Sequence, residues 1–263
     1  MTTDLQSETG ASSQPLFYKN PVVLRYETHR KAALKRTGDF GFSAAANAVP
    51  LLVSEFGRAV QHYPIVFTDT ASPYPLAMLG LRENQNLFIG GPGSWRAGTY
   101  VPAYLRRYPF TVANFGDQAG PLLAIDTASE RVTEIGRGGD LDPLFEDGGG
   151  PSPVTAQAMA FCHAFHQDHL RDEGFGRALL ELGLLVQRHA VMQFPDNSRY
   201  TLNGFCVVDA EKFRALSDAD LLIDWHRRGW ISAIDLHLAS MNNWETLLLL
   251  NAEASTTTGQ GVA

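Results

Sequence analysis

The sequence has few cysteines and no long uninterrupted apolar segment. Cys162 and Cys206 are the only cysteines in 263 residues, and two isolated cysteines make neither a disulfide framework nor a CxxC metal-binding motif. The apolar runs fall well short of the ~20 residues that a membrane-spanning helix needs, so we expect no integral membrane contact. Because residues 1–15 carry no basic region followed by an apolar stretch, we expect no secretory signal and a cytoplasmic protein.

Positive charge is also scarce. Lys and Arg total 21 against 28 Asp and Glu, which gives a formal net charge of −7 and disfavours broad binding to a phosphate backbone. Two helices around Gly229 could suggest a helix-turn-helix, but residues 231–240 contain no Lys or Arg to contact bases. We therefore predict no nucleic-acid partner.

The spacing of apolar residues predicts an α+β fold. Short apolar runs between turn residues predict strands at 22–26, 65–67, 76–81, 86–89, 110–115, 122–125 and 200–208, in an antiparallel arrangement. Helical spacing predicts helices at 50–61, 101–108, 153–170, 176–189 and 230–250. A further helix is expected to begin after an N-cap within Ser217-Asp-Ala-Asp220 and to end at Gly229. A sheet-rich N-terminal part would thus pack against a mainly helical C-terminal part.

Composition also suggests where the ordered body begins and ends. Residues 1–15 and 252–263 are rich in small polar residues, so we expect two disordered tails. The glycine-rich stretch Gly148-Gly-Gly-Pro151 resembles a linker. We therefore expect a sheet-rich part at 16–150 and a mainly helical part at 151–251 within one compact body.

The familiar catalytic and cofactor motifs are missing. Ser94 lies in a glycine-rich turn without the G-x-S-x-G pattern, and no phosphate-binding loop is present. His163, His166 and His169 would turn from solvent toward the core along one helix, which argues against a shared metal ion. We therefore assign no catalytic residue, metal or cofactor. An enzyme remains an alternative if the fold brings together a carboxylate and two or more of four histidines: His29, His62, His163 and His166.

One segment stands out against the acidic background. Residues 84–116 contain no Asp or Glu, which predicts a positive local potential. Guanidinium groups bind carboxylate or phosphate through two parallel hydrogen bonds, and aromatic rings provide rigid contact area. We predict an anionic or peptide-like ligand bound by Trp95, Arg96, Tyr100, Tyr104, Arg106, Arg107 and Tyr108. The structural alternative is that the arginines pair with acids and the tyrosines lie in the core with bonded hydroxyls.

Several segments resemble the SapC family, which is named for a gene of a bacterial surface-layer locus. The most specific is Tyr100-Val-Pro-Ala-Tyr-Leu-Arg-Arg-Tyr-Pro-Phe110. Others are Tyr63-Pro-Ile-Val-Phe67, Leu76-Ala-Met-Leu-Gly-Leu81, Leu144-Phe-Glu-Asp-Gly148 and Gly204-Phe-Cys-Val-Val-Asp209.

The resemblance implies an accessory role without defined chemistry. Genes of many members lie beside genes for TonB-dependent receptors and halogenase-like proteins, so the resemblance implies the products of such genes as possible partners. We therefore predict a non-catalytic binding or accessory protein. Alternatives are an enzyme with an unrecognised site and a surface-layer or envelope-associated component.

Overall fold

The structure is a computed structural model that describes residues 2–4, 15–113, 121–193 and 199–259. The chain divides into two compact units. The described part of the first unit comprises residues 2–4, 40–103 and the chain from Asp168 onward. The described part of the second unit comprises residues 15–39 and 104–167.

Strands and short helices alternate in the first half of the chain, and longer helices follow. The described strands are β1 (Thr2–Asp4), β2 (Pro21–Val23), β3 (Ala32–Lys35), β4 (Ala48–Pro50), β5 (Ile65–Thr68), β6 (Pro75–Met78), β7 (Ile89–Gly90), β8 (Ser94–Trp95), β9 (Phe110–Ala113), β10 (Leu122–Asp126), β11 (Val132–Glu134), β12 (Leu141–Pro143), β13 (Leu185–Gln193) and β14 (Arg199–Val208). The described helices are α1 (Tyr26–His29), α2 (Phe56–Ala59), α3 (Ala103–Arg106), α4 (Pro153–Glu181), α5 (Ala210–Arg214), α6 (Ala219–Arg228), α7 (Trp230–Ser240) and α8 (Asn243–Gly259).

The first unit is built on a six-stranded sheet. Its strand order is β1-β14-β5-β6-β4, with β13 paired to β14, and only the β1–β14 pairing is parallel. All residues of β5 and β6 are buried, as expected of strands covered on both faces. His237 of α7 bridges two of these strands, since its Nδ1 donates to the Ile65 carbonyl at 2.8 Å and its Nε2 accepts from the Val208 amide at 3.0 Å.

The second unit contains two small antiparallel sheets. Their strand orders are β2-β10-β9 and β11-β3-β12. The core of this unit is a cluster of buried apolar side chains: Phe110, Leu123, Ile125, Leu144 and Cys162. Val154 and Ala158 of α4 pack against this cluster. Burial of these side chains provides the main driving force for folding of this unit.

The predicted α+β class is confirmed, with antiparallel sheets in the N-terminal part and helices toward the C-terminus. The predicted strand at 200–208 is confirmed as β14, as are both ends of α6. Asp218 accepts hydrogen bonds from the amides of Asp220 and Leu221, and Gly229 has a φ of 75°. Such a φ suits glycine because it has no Cβ to clash with the backbone.

Several predicted helices were wrong in extent or type. Within residues 50–61, Pro50 is the end of β4, and the helical structure is limited to a 3₁₀ turn at Val53–Glu55 and the short α2. Residues 153–181 form one helix, and residues 185–189 are part of β13 rather than a helix. The long ladder between β13 and β14 outweighs the local helical spacing. The predicted helix at 230–250 is interrupted, because buried Asn243 donates hydrogen bonds to the carbonyls of Val60 and Tyr63.

Other predicted boundaries also differ from the structure. The predicted helix at 101–108 is confined to α3, and the predicted strand at 86–89 is reduced to β7. The two units do not follow a division at residue 150, because each draws on residues from both sides of that point. The predicted C-terminal tail begins inside α8, which continues to Gly259. Residues 1, 5–14 and 260–263 of the predicted tails lie outside the described residues.

Gly176 allows α4 to approach the loop before β6 in the first unit. A Cβ at this position would lie 1.9 Å from the backbone carbonyl oxygen of Pro73. No side chain can be accommodated there without moving the helix or the loop. Gly174, on the same helix, would place a Cβ 3.9 Å from its nearest neighbour, a ring atom of Trp230.

We expect Gly176→Ala to lower the free energy of unfolding by more than about 2 kcal/mol, because the added methyl overpacks a backbone contact. Gly174→Ala is the matched control, and it should stabilise the protein by up to about 1 kcal/mol through improved helix propensity. Urea unfolding followed by circular dichroism measures both changes. Equal effects of the two substitutions would show that the close contact does not constrain α4.

Candidate functional site

The second unit contains a cavity of about 300 Å³ with three arginines in its wall. The polar lining consists of Arg106, Arg107, Arg131, Tyr108 and Gln157. The remaining lining residues are apolar side chains and one thiol: Leu34, Phe110, Val154, Ala158, Phe161 and Cys162. No Asp or Glu is among these described lining residues, so every charged side chain of the lining is positive. We call it the arginine cavity.

Three segments of the second unit form the arginine cavity, and two of them carry the arginines. Arg106 is the last residue of α3, and Arg107 and Tyr108 follow it directly. Arg131 immediately precedes β11, and its amide donates to the Ser129 hydroxyl oxygen at 3.2 Å. The opposing wall is the N-terminal part of α4, which carries Gln157, Phe161 and Cys162.

Aromatic rings hold the side chain of Arg107. Its guanidinium carbon lies 4.3 Å from the ring centroids of both Tyr104 and Phe165, and 5.8 Å from that of Tyr18. These distances are those of cation–π contacts. Its Nε is buried and has no hydrogen-bond partner in the described part of the chain. Arg107 is therefore oriented by aromatic contacts that leave its positive charge uncancelled.

Arg131 and Arg106 are held differently. Arg131 donates from Nη1 to the Tyr108 carbonyl at 2.9 Å and from Nη2 to the Asp39 carbonyl. Burial lowers the pKa of Arg131, with the nearby Asp39 charge opposing the shift. Arg106 is exposed, and its guanidinium carbon lies 5.1 Å from the centroid of the Phe161 ring. One arginine is thus fixed by backbone carbonyls and one is open to solvent.

Cys162 lines the arginine cavity but is a poor nucleophile there. Burial raises the pKa of its thiol to about 11, although the charge of Arg107 acts in the opposite direction. The thiol is therefore protonated at neutral pH, and the thiolate is the reactive form. In the first unit, burial likewise raises the pKa of Cys206 to about 11, and the charge of Asp69 adds to the shift.

The structure distributes the seven predicted ligand-binding residues between the two units. Tyr104, Arg106, Arg107 and Tyr108 lie in the second unit, and the last three of these line the arginine cavity. Tyr104 instead supports Arg107 from the side. The other three predicted residues are Trp95, Arg96 and Tyr100, all of which lie in the first unit.

Trp95, Arg96 and Tyr100 have neighbours within the first unit. The Trp95 ring stacks on Phe88, with centroids 5.9 Å apart and an interplanar angle of 18°. Arg96 forms an exposed ion pair with Glu253 at 3.3 Å. The Tyr100 hydroxyl donates to Glu55 Oε1 at 2.8 Å. For Trp95, Arg96 and Tyr100, these contacts agree with the alternative that the arginines pair with acids and the tyrosine hydroxyls are bonded within the protein.

The tyrosines of the second unit also have bonded hydroxyls. Tyr104 donates to the Leu16 carbonyl at 3.2 Å, and Tyr108 donates to Asp126 Oδ2 at 3.3 Å. Both side chains are buried. The tyrosines therefore match the structural alternative, whereas none of the ion pairs found in the described residues includes Arg107.

Sequence analysis missed Arg131 and Gln157 as lining residues. Arg131 follows Glu130 in the sequence, so a search for segments without acidic residues passes over it. Gln157 lies on an exposed part of α4 and carries no charge. No local pattern in the sequence marks either residue, because the cavity lining comes from segments that are distant along the chain.

The four candidate catalytic histidines have separate surroundings. His29 Nδ1 accepts from the Arg25 amide at 3.1 Å, and His163 Nε2 lies 3.5 Å from Gln167 Nε2. These two histidines and His166 belong to the second unit, whereas His62 belongs to the first. His62 packs edge-on against the Tyr63 ring, and burial lowers its pKa. The described residues contain no contact between any two of these four histidines.

Sequence analysis also missed the buried histidine, His237. Its two ring nitrogens bond to Ile65 and Val208, and burial lowers its pKa to about 4, with the Ile65 hydrogen bond opposing the shift. It is therefore neutral at pH 7, and its contacts are structural.

Two buried carboxylates lie close together in the first unit. Glu55 accepts from the amides of Leu52 at 2.8 Å and Ala103 at 2.7 Å. Asp172 accepts from the Val53 amide at 2.8 Å. Burial raises the pKa of Asp172 to about 7, and the negative charges of Asp168 and Glu55 add to this effect, while the Val53 hydrogen bond opposes it.

We expect Arg107→Gln to lower the free energy of unfolding by about 1–2 kcal/mol, since two close cation–π contacts are lost. Urea unfolding measures the change. Arg30→Gln is the control, because Arg30 is an exposed arginine of the second unit that lies outside the cavity lining. A cost as small as that of the control would contradict a role for the rings in orienting Arg107.

A second prediction concerns Asp172→Asn, which keeps an acceptor for the Val53 amide but removes the charge. The folded-state pKa of Asp172, about 7, lies above the unfolded value of about 4. Its contribution to stability is therefore full at low pH and is lost as the pH rises through 7. Between pH 5 and pH 8, the variant should gain roughly 2–3 kcal/mol relative to the wild type.

Urea unfolding at the two pH values measures this gain, with the exposed Asp235→Asn as control. The prediction fails if the difference between Asp172→Asn and the wild type is the same at pH 5 and pH 8.

Two searches of the described residues bear on metal and membrane binding. No group of three or more His, Cys, Asp and Glu side chains in these residues has the arrangement of a metal site. None of the described helices combines the length and the apolar character needed to cross a bilayer.

Comparisons with known proteins identify the family. Searches of curated proteins and of solved structures each found no match. A family model described as SapC matches residues 24–247, which include both units and every motif that suggested the resemblance. The chain therefore belongs to the SapC family.

Proposed function

We propose that this SapC protein is a non-catalytic binding or accessory protein that takes an anionic or peptide-like ligand in the arginine cavity. The observation that carries the proposal is the convergence of Arg106, Arg107 and Arg131 on one cavity, without an acidic residue among its described lining residues. On a chain with a net charge of −7, such a cavity attracts anions against the field of the remaining surface.

The arrangement supports a bound carboxylate or phosphate. Guanidinium groups donate through fixed, forked N–H groups that match the oxygens of both anions. Arg107 has a buried Nε and is already oriented by its aromatic neighbours, so little side-chain entropy would be lost on binding. The volume of about 300 Å³ is at the lower end of the range for small-molecule sites.

The apolar wall adds a second requirement for the ligand. Phe110, Phe161 and Val154 are among the apolar lining residues, and they favour a ligand with an apolar portion beside its anionic group. A short peptide with a carboxylate and an apolar side chain has both features. The proposed polar contacts are therefore Arg106, Arg107, Arg131 and Gln157, with Tyr104 supporting Arg107 and the Tyr108 ring contributing to the lining.

Two other roles are kept as alternatives. An enzyme is favoured only by Asp172, whose pKa of about 7 suits a general acid or base, and no histidine is among its described partners. A surface-layer or envelope-associated role rests on the family name. The products of neighbouring TonB-receptor or halogenase-like genes are candidate partners, and a peptide segment of such a protein has the chemistry that the cavity accepts.

Titration calorimetry with phosphate, citrate and an acidic tripeptide tests the proposal at low salt. We expect saturable binding of at least one probe with 1:1 stoichiometry, weakened about tenfold by Arg106→Gln, because a charge-assisted hydrogen bond is lost. Arg106 is exposed, so this variant should fold normally. Arg30→Gln should leave the affinity unchanged.

Two outcomes would reject the proposal. The first is the absence of saturable binding for all three probes. The second is equal weakening by Arg106→Gln and Arg30→Gln, which would indicate diffuse attraction to surface charge rather than recognition in the cavity.

A further inference from the structure

The first unit contains a second cavity, of about 380 Å³, with a different chemistry. Its lining is mainly apolar or aromatic: Leu81, Phe205, Val207, Met241, Trp244 and Leu248. The only other described lining residues are Arg188 and His189. We call it the apolar cavity.

Elements of the first unit form the apolar cavity. Arg188 and His189 belong to β13, and Phe205 and Val207 belong to β14. Helix α8 supplies Trp244 and Leu248. The Phe205 and Trp244 rings lie 5.8 Å apart at an interplanar angle of 39°, so aromatic surface from the sheet meets aromatic surface from the helix.

A β-bulge in β14 lies opposite the two polar residues of the cavity. Successive side chains on a regular strand point to opposite faces, and Gln187, the residue before Arg188, contacts Asp69 instead. Arg188 pairs with Phe205 and Ala190 pairs with Leu202, so His189 lies opposite two residues of β14. One of these is Gly204, with a φ of 78°. Bulges of this kind redirect side chains and are common near binding sites.

The two polar residues lie at the solvent-accessible side of the cavity. Arg188 and His189 are both exposed, whereas Leu81 and Phe205 are almost fully buried. A molecule with an apolar body and a single anionic group matches this division, with its body against the buried side chains and its anion beside Arg188. The His189 ring can donate a further hydrogen bond to the same anion.

We propose that the apolar cavity binds a small apolar monocarboxylate, such as a medium-chain fatty acid, with the carboxylate held by Arg188 and His189. This site is separate from the arginine cavity and does not depend on its proposed function. The charge complementarity selects a carboxylate, and the apolar lining excludes strongly polar ligands such as citrate.

Titration calorimetry with decanoate tests this proposal on the full chain. We expect 1:1 binding that is weakened about tenfold by Arg188→Gln, because a hydrogen bond between charged groups is lost. Arg177→Gln is the control, since Arg177 is an exposed arginine of the same unit outside the cavity lining. Decanol, which has the same chain without the charge, should bind more weakly than decanoate.

A pair of substitutions on α8 tests whether decanoate binds in the apolar cavity. Leu248 is 45% exposed and lines the cavity, whereas its neighbour Leu249 is 66% exposed and is not among the lining residues. Leu248→Glu places a negative charge at the cavity and should weaken decanoate binding about tenfold or more by repulsion and lost apolar contact. Leu249→Glu should leave binding unchanged. Both positions are exposed enough for either variant to fold.

Three results would overturn the proposal: no saturable binding of decanoate, equal affinity for decanoate and decanol, or equal effects of Leu248→Glu and Leu249→Glu. Arg106→Gln separates the two sites, because it should weaken ligands of the arginine cavity and leave decanoate binding intact. Failure of one proposal is thus distinguishable from failure of the other.

Discussion

The buried carboxylate of Asp126 holds together the segments that build the arginine cavity. Asp126 is completely buried, and its two oxygens accept from the amides of Lys19, Asn20 and Ala128 and from the Tyr108 hydroxyl. A buried carboxylate is tolerated only when hydrogen bonds replace its lost hydration. Because these donors come from three separate stretches of chain, one side chain connects the start of β2, the end of β10 and the residue that follows Arg107.

This connection explains how like charges can share a cavity. The Asp126 carbonyl accepts from the Ser129 amide, and the Ser129 hydroxyl oxygen accepts from the Arg131 amide. Arg131 then donates to the carbonyl of Tyr108, whose hydroxyl returns to Asp126. Arg107 is held by rings instead. Neither arrangement requires an acidic side chain in the lining, so the positions of these two guanidinium groups are fixed by contacts that preserve the positive potential.

The sequence was informative where chemistry is local. An acid-free run with consecutive arginines identified Arg106 and Arg107, and capping residues located both ends of α6. It was uninformative where long-range pairing decides. Arg131 reaches the carbonyl of Tyr108, next to Arg107, in a region where β10 pairs with β9. Residues 185–189 are a strand because β14 pairs with them. A pattern of apolar residues within a short stretch of sequence cannot show which distant strand will pair with it. The division into two units likewise does not occur at the glycine-rich stretch near residue 150.

The tyrosines of the predicted segment show why amino-acid composition alone could not distinguish residues that hold the structure in place from residues that would contact a ligand. Tyr100, Tyr104 and Tyr108 have the same chemical groups, and each donates its hydroxyl to a protein acceptor. A hydroxyl already bonded inside the protein has little left to offer a ligand, since breaking that bond would leave its acceptor unsatisfied. The rings therefore fix geometry, and in the proposed function the guanidinium groups recognise the ligand. Of the seven predicted residues, the arginines of the second unit have the groups best placed to contact a ligand.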